Sequence, residues 1–197
     1  MRRGENTNIR IIQAAVELFA RTGYHGTSIK NITDKIGLTK AAFYAHVGSK
    51  GELVHRLIKE YEARYVDELI KRVDEQPGNA MDKLHRAISF SSEFAVNNLD
   101  WVVLFDNLSN ELKSDPDFAT VLTVVRHKSS KFIGDLLRLG MRQGLVKKDL
   151  DPDVVSIIFA ALARGMFQQW ILSRSLMDGD QYVRMSRIIF FKGIETS

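Results

Sequence analysis

The sequence predicts an all-α protein, and three observations support this fold class. Apolar residues recur at steps of three and four along almost every segment, which is the period of a helix, and they delimit about nine helices. Only three prolines occur in 197 residues. No run of β-branched residues is bounded by turn signals, as a strand would require.

Composition limits the class of protein. A hydrophobic fraction of 45% is sufficient for a packed core, and there are no cysteines. Disulfides, zinc–thiolate sites and thiol nucleophiles are therefore excluded, and we expect neither a metal nor a cofactor. The N-terminus carries no apolar signal segment. The longest nearly apolar run, residues 154–163, is about half of a bilayer-spanning helix, so we expect a soluble cytoplasmic protein without a membrane partner.

Charge is distributed unevenly along the chain. Residues 1–55 contain eight Lys and Arg against four acids, and the remainder contains 20 of each. The entire positive excess therefore lies in the first quarter of the chain. This asymmetry indicates a polyanionic partner for the N-terminal segment.

The first helix is predicted over residues 7–22. One face carries four apolar residues at helical spacing, Ile9, Ile12, Val16 and Phe19. Gly23 is expected to end this helix, because glycine accepts the left-handed conformation of a helix C-cap.

The second and third helices are short. The second opens after Gly26, with Thr27 or Ser28 as its N-cap, and Gly37 ends it. Its buried stripe consists of Ile29, Ile32 and Ile36.

The third helix is predicted over residues 40–46, capped by Thr39, with Phe43 and Val47 facing inward. Two short helices joined by a three-residue turn containing glycine are typical of a helix-turn-helix. A helix of about 10 Å fits a major groove about 12 Å wide. Its exposed side chains are small or polar, namely Lys40, Ala41, Ala42 and Ala45.

The stretch GTSIKNITDKIGLTKAAFYAHVGSKGEL resembles the DNA-binding region of the TetR (tetracycline repressor) family of bacterial regulators. It has that family's glycine and threonine at the start (Gly26 and Thr27), Gly-x-Thr turn, Tyr-x-His end and Ser-Lys-x-Glu-Leu start of the fourth helix. The resemblance implies a DNA-binding domain over residues 1–52 and a ligand-binding and dimerisation domain over residues 53–197. Two positions depart from the pattern: Val47 replaces a phenylalanine and Ala41 a glycine.

The resemblance also implies which residues contact DNA. Two meet phosphate, Thr27 and Ser28; four approach bases, Thr39, Lys40, Ala41 and Ala42; and three grip the backbone, Tyr44, His46 and Lys50. The chemistry agrees, since Lys40 can donate to guanine and an alanine methyl can touch a thymine methyl. Alternatives are a partly buried core role for Tyr44 and a packing or capping role for His46.

Beyond these helices, a long fourth helix is predicted over residues 49–75, begun by a capping box of Ser49 and Glu52 and ended before Pro77. Its inward residues are Leu53, Leu57 and Tyr61. Five further helices are predicted near residues 80–97, 101–113, 117–143, 152–175 and 181–194.

The helix from Pro152 is apolar on more than one face, so packing within its own domain cannot bury all of it. We expect a homodimer through the last two helices, as the resemblance also implies; the alternative is a monomer with a thick core. The interface residues would be Ala160, Ala161, Ala163, Gly165, Ile188, Phe191 and Ile194.

The resemblance implies an inducer cavity in the C-terminal domain. Its expected lining is Phe90, Phe94, Trp101, Phe105, Met166, Phe167 and Trp170, with His127 and Arg164 orienting a polar group of a largely apolar ligand. Ordinary core is the alternative for the aromatic residues. Arg164 has the alternative of pairing with a carboxylate, and His127 that of an exposed position. The basic cluster at residues 126–131 attracts an acidic ligand or is a solvated face.

These features predict a homodimeric DNA-binding regulator, and the resemblance implies a repressor that a small-molecule effector releases from double-stranded, palindromic operator DNA. The alternative is a nucleoid or interaction protein that uses the same fold without an inducer. No enzyme is expected, because the sequence lacks a nucleophile elbow, a phosphate-binding glycine loop and a paired-histidine zinc motif.

Overall fold

A computed structural model describes residues 2–173, 175–176 and 178–196, without the side chains of residues 2–5. Within these residues the regular elements are helices, which confirms the all-α prediction, and a single antiparallel bridge joins Val146 to Glu195. The helices are α1 (Arg2–Gly26), α2 (Ile29–Ile36), α3 (Lys40–Val47), α4 (Lys50–Tyr61), α5 (Glu68–Asp74), α6 (Ala80–Asn97), α7 (Leu99–Glu111), α8 (Pro116–Arg142), α9 (Pro152–Ser173) and α10 (Gly179–Ile194).

The long fourth helix differs from the prediction in its middle. A π-helical segment, Glu62–Asp67, joins α4 to α5. Apolar periodicity does not reveal such a segment, because one extra residue per turn changes the spacing only locally. Counted as one connecting helix, α4, the π segment and α5 make nine helices in the described part of the chain.

The first helix also differs in detail. It continues past Gly23 to Gly26, but Gly23 breaks it with φ 73° and ψ 177°. The predicted buried face was partly wrong, because Ile9 is 56% exposed whereas Ile11 and Ala15 are buried beside Val16 and Phe19. The buried face follows steps of four through residues 11, 15 and 19.

The chain forms two compact units. The first comprises residues up to 66 together with residues 97–125. In this unit α1 packs more extensively against α7 than against α2 or α3. Its fully buried side chains include Ile11, Phe19, Ile32, Phe43, Leu53, Leu57, Leu104 and Leu108. The helix-turn-helix therefore shares one core with α7.

The second unit comprises residues 67–96 and the chain from residue 126. Its core includes Leu69, Leu84, Ile133, Leu137, Phe190 and Phe191. The Lys147 amide donates to the Ile194 carbonyl at 3.0 Å, and the Thr196 amide donates to the Leu145 carbonyl at 3.2 Å. These bonds attach the end of α10 to the segment that follows α8.

Helix α9 buries little of its apolar surface. By length and composition alone it is long and apolar enough to cross a membrane, and only 11% of the window that meets this test is buried. The prediction that this apolar stretch is too short to span a bilayer considered only residues 154–163. It was wrong about the length, because the apolar character continues around Arg164 to the end of the helix. Apolar surface of this kind is rarely left exposed in a soluble monomer.

Candidate DNA interface

Local capping determines the shape of the helix-turn-helix. Ser28 is the N-cap of α2, accepting from the Asn31 amide at 3.1 Å while its own amide donates to the Asn31 side chain at 2.8 Å. Gly37 ends α2 in the left-handed conformation with φ 64°. Thr39 then caps α3 by accepting from the Ala42 amide at 3.1 Å. The predicted caps and turn are confirmed, with Ser28 and not Thr27 as the cap.

Helix α3 divides into a buried and an exposed side. Phe43 and Val47 are buried against the core, as predicted. The exposed residues are Thr39 at the cap and then Lys40, Ala41, Tyr44 and Ala45, whereas Ala42 and His46 are half-buried. Small side chains on this face allow the helix backbone to approach a groove closely.

Tyr44 is the largest side chain on this face. It is 49% exposed, and its ring meets the edge of Phe43 at a centroid distance of 5.8 Å. The alternative of a core tyrosine therefore does not describe its position. An exposed phenol on this face can donate a hydrogen bond to a phosphate.

Thr27 faces inward. It is 1% exposed, and its hydroxyl donates to the Gly23 carbonyl at 2.8 Å. That hydroxyl also lies 2.8 Å from the Thr22 hydroxyl. Its side chain therefore holds the turn after α1 and has almost no surface left for a phosphate.

Lys50 is half-buried and engaged within the unit. Its ammonium donates to the Tyr24 carbonyl at 2.6 Å and lies 3.9 Å from the centroid of the Tyr24 ring. Burial lowers the pKa of Lys50, and the charge of Glu111 opposes that shift. An ammonium has three donors, so two remain for a phosphate after the Tyr24 bond. The residue thus has a structural function besides the one expected at DNA.

Other basic residues of this region are paired within the protein. Lys35 bridges to Glu17 at 2.7 Å, and Lys30 bridges to Asp34 at 2.5 Å. The Arg10 guanidinium donates to the Ile36 carbonyl at the end of α2. In the described part of the chain the Lys40 ammonium has no such partner, so its donors are available to a ligand.

Arg56 and Asn31 were not anticipated from the sequence. Arg56, on α4, donates to the His46 carbonyl at 3.1 Å and so fixes the end of α3. Asn31 completes the Ser28 capping box. The Ser-x-x-Asn spacing was a readable signal for Asn31, whereas the Arg56 contact depends on how α3 and α4 pack.

The residues expected at a dimer interface separate into two groups. Ala160, Ala161 and Gly165 are exposed on α9, and Ile188 is 40% exposed on α10. Phe191 is instead 4% exposed, with its ring centroid 3.7 Å from that of His85. It belongs to the core of the second unit and has no surface for a partner. Ile194 is likewise buried.

The expected ligand residues are spread over both units. Trp101 and Phe105 belong to the first, where Phe105 stacks on Tyr61 at 4.1 Å and Trp101 lies 5.2 Å from the Arg64 guanidinium. The others belong to the second unit. There Phe90 and Phe94 are buried with ring centroids 6.1 Å apart.

The remaining members of that set are more open. His127 and Arg164 are exposed, and Met166, Phe167 and Trp170 are half-buried. A surface cleft of about 430 Å³ lies elsewhere, in the first unit, with Asn8, Ile12 and Arg56 in its lining. None of the expected ligand residues lines that cleft.

Comparison with known proteins agrees with this geometry. Residues 11–57 match the family model described as bacterial regulatory proteins, tetR family. The transcriptional repressor KstR2 of Mycobacterium tuberculosis is 27% identical over 158 residues, covering 78% of this chain and 74% of the relative. The fatty acid metabolism regulator protein of Bacillus subtilis is 24% identical over 172 residues and covers 86% of each chain.

Solved structures show the same fold. The MbdR regulator from Azoarcus sp. CIB superposes with a TM-score of 0.84 at 21% identity, covering 94% of this chain and 97% of that one. The ketosteroid transcriptional regulator KstR2 of M. tuberculosis gives a TM-score of 0.75 at 23% identity, covering 100% and 96%. The family match at the helix-turn-helix, the repressor relatives and the shared fold agree: residues 11–57 form a tetR-family DNA-binding domain, and the chain is similar to TetR-family transcriptional repressors over most of its length.

Proposed function

We propose that this protein is a homodimeric repressor that reads a palindromic operator through α3 and is released from it by a small, largely apolar ligand. The observation that carries the DNA-reading part is the exposed side of α3. Lys40, Ala41 and Tyr44 lie there on a helix whose opposite side is locked into the core by Phe43 and Val47.

Each exposed group on α3 has a distinct task in the proposal. Lys40 donates to guanine, and the methyl groups of Ala41 and Ala42 contact thymine methyls, so these residues read sequence. Tyr44, Ser28 and the two remaining donors of Lys50 contact phosphates and fix the register of the helix. Thr39, at the start of α3, approaches the bases with Lys40, and His46, in the last turn, meets the backbone of the duplex.

The dimer is supported by the exposed surface of the last two helices. On α9 Ile157 is 63% and Leu172 is 77% exposed, and on α10 Ile189 is 72% exposed. Soluble monomers rarely expose an apolar patch of this kind. A Cβ added at Gly165 would meet nothing within 4 Å, which leaves room for a close partner helix. A second copy of the chain provides a matching apolar surface by symmetry.

The alternative cover for α9 is a lipid bilayer. Arg164, Gln168 and Gln169 oppose it, because charged and amide side chains in the middle and second half of a spanning helix are costly in hydrocarbon. A protein that stays monodisperse without detergent supports the dimer. One that needs detergent to remain in solution contradicts it.

The ligand class is supported by relatives of the chain. They include a fatty acid metabolism regulator and a ketosteroid transcriptional regulator, and fatty acids and ketosteroids are largely apolar small molecules. A further structural neighbour is a gamma-butyrolactone receptor. The second unit also contains the aromatic residues that we propose line a ligand site, among them Phe90, Phe94 and Trp170. The test is to add a long-chain fatty acid, a ketosteroid or a gamma-butyrolactone to the protein bound to its operator and to measure release. If none of them releases the protein, the result contradicts the proposal of an apolar ligand.

The test of the function is equilibrium binding of the purified protein to DNA from upstream of its own gene and to scrambled DNA, at about 150 mM salt. A specific regulator is expected to prefer its site by about a thousandfold or more. A random-sequence pool provides the site if the upstream DNA does not contain it. Equal, strongly salt-dependent binding to all sequences contradicts the proposal and favours a nucleoid protein.

A further inference from the structure

We propose that Glu111 and Asn107 of α7 are positioning residues for DNA binding, because they hold the α1–α2 turn in the shape that presents α2 and α3 to the duplex. The proposal rests on the proposed function, since it concerns the same interface. Both residues lie more than 80 positions from the turn in sequence, and neither contacts DNA in this account.

The turn begins at a break in α1. Gly23 has φ 73° and ψ 177°, so the hydrogen-bond ladder of the helix is interrupted there. A helix end leaves carbonyls without donors before it and amides without acceptors after it. Unless other groups bind them, those backbone groups compete for water and the turn loosens.

Two side chains one turn apart on α7 bind backbone groups on both sides of the break. The Asn107 amide nitrogen donates to the carbonyls of Phe19 at 3.1 Å and Ala20 at 3.0 Å. The Glu111 carboxylate accepts from the amides of Tyr24 at 3.2 Å and His25 at 3.0 Å. The donor therefore faces the carbonyl side of the break and the acceptor faces the amide side.

With the Glu111 carboxylate in this position there is no room for a Cβ at Gly23. A Cβ at Gly23 would lie 2.2 Å from a Glu111 carboxylate oxygen. The left-handed φ of this residue also favours glycine. From the other side the Lys50 ammonium donates to the Tyr24 carbonyl at 2.6 Å. The amide and the carbonyl of Tyr24 are thus held by side chains of opposite charge.

The held turn leads directly into the proposed interface. Thr27 donates to the Gly23 carbonyl at 2.8 Å, and the next residue, Ser28, caps α2. Disorder at Gly23 would therefore reach the first amides of α2, and through the Gly37 turn it would change the angle of α3. A pre-ordered interface avoids the entropy cost of ordering these residues on binding.

Charge and position make opposite predictions for the removal of Glu111. An acid near a polyanion weakens binding, so on electrostatic grounds its removal strengthens binding to DNA. If Glu111 orders the turn, its removal weakens binding. Asp100 is an exposed carboxylate on the same helix, and Asp100→Ala removes the same charge without touching the turn.

The experiment compares the full-length wild type with Glu111→Ala, Glu111→Gln and Asp100→Ala on the operator found as described above. Loss of the carboxylate hydrogen bonds is expected to weaken binding by Glu111→Ala about fivefold or more. Glu111→Gln keeps one acceptor oxygen and should lie between that variant and the wild type. Asp100→Ala should bind as tightly as the wild type or tighter. Equal or tighter binding by Glu111→Ala overturns the proposal.

Amide hydrogen exchange at Tyr24 and His25 measures how well ordered the turn is in the absence of DNA. We expect faster exchange at these two amides in Glu111→Ala and unchanged exchange in Asp100→Ala. Unchanged exchange in Glu111→Ala overturns the positioning role whatever happens to DNA binding. The wild type could bind no DNA specifically while amide exchange still responds as expected. That result would contradict the proposed function but would support the role of Glu111 in ordering the turn.

Discussion

The helix-turn-helix and the last two helices are both rich in apolar residues but bury them to different extents. In the first unit Phe19, Ile32 and Phe43 are 0% exposed. On α9 and just after it, Leu172 and Leu176 are 77% and 85% exposed. The first region buries its large apolar side chains within a single chain, whereas the second leaves several of them exposed.

The surfaces that remain outside differ accordingly. The helix-turn-helix presents a lysine, alanines and a tyrosine, which are groups for a polar, anionic duplex. Helices α9 and α10 present isoleucine, leucine and methionine, which are groups for another apolar surface. We infer that the comparison distinguishes two partners, DNA for the first region and a second copy of the chain for the other. Three predictions test it, from the largest effect to the smallest.

The largest effect is expected in the core of the first unit. Phe43→Ala removes a side chain that is 0% exposed and should lower the free energy of unfolding by about 3–5 kcal/mol. Leu176→Ala, at a residue that is 85% exposed in the single chain, should change the free energy of unfolding of the dissociated monomer by no more than about 0.5 kcal/mol. Denaturant unfolding measures both. Similar losses of unfolding free energy for the two variants would show that the two regions do not differ in how far their apolar side chains are buried within one chain.

The next effect concerns the dimer. Ala161→Glu places a charge in the proposed interface, so the mass in solution should fall to that of one 22.4 kDa chain. Operator affinity should fall about a hundredfold, because each half-site then binds alone. Sedimentation and operator titration measure these quantities.

Val124→Glu is the matched control, since Val124 on α8 is 55% exposed outside α9 and α10. It should leave the mass unchanged. If Ala161→Glu also leaves the mass unchanged, α9 is not the interface.

The smallest effect concerns a phosphate contact. Tyr44→Phe removes one hydroxyl and should weaken binding to operator and scrambled DNA equally, by about three- to tenfold. Tyr182→Phe, on α10, should not change binding to either DNA. A loss confined to the operator would show that Tyr44 contacts a base and not a phosphate.

Local signals made the helix-turn-helix predictable. Gly23, Gly37, Thr39 and Ser49 mark the break or caps of consecutive helices, and the structure places each in that function. Glycine acts through its own backbone and a capping hydroxyl binds an amide three residues away, so the local sequence is enough to predict both. The same short-range signals carried the family resemblance.

Long-range contacts were not predictable in the same way. An apolar residue near the end of the last helix suits a core or an interface equally, and Phe191 is in the core. Thr27 was expected to meet phosphate, but the turn buries it. The grouping of residues 97–125 with the helix-turn-helix, and the bonds of Glu111 to that turn, depend on packing that no local pattern encodes.

The central claim is that α3 reads sequence in two symmetric half-sites, and Lys40→Ala tests it most directly. Wild type and variant would be titrated against every single-base-pair variant of the operator. We predict that discrimination is lost by about 1–3 kcal/mol at one base pair in each half-site, with the two positions symmetric and about 34–36 Å apart. A uniform loss on all sequences, or no loss at any position, would contradict the claim that this helix reads the operator.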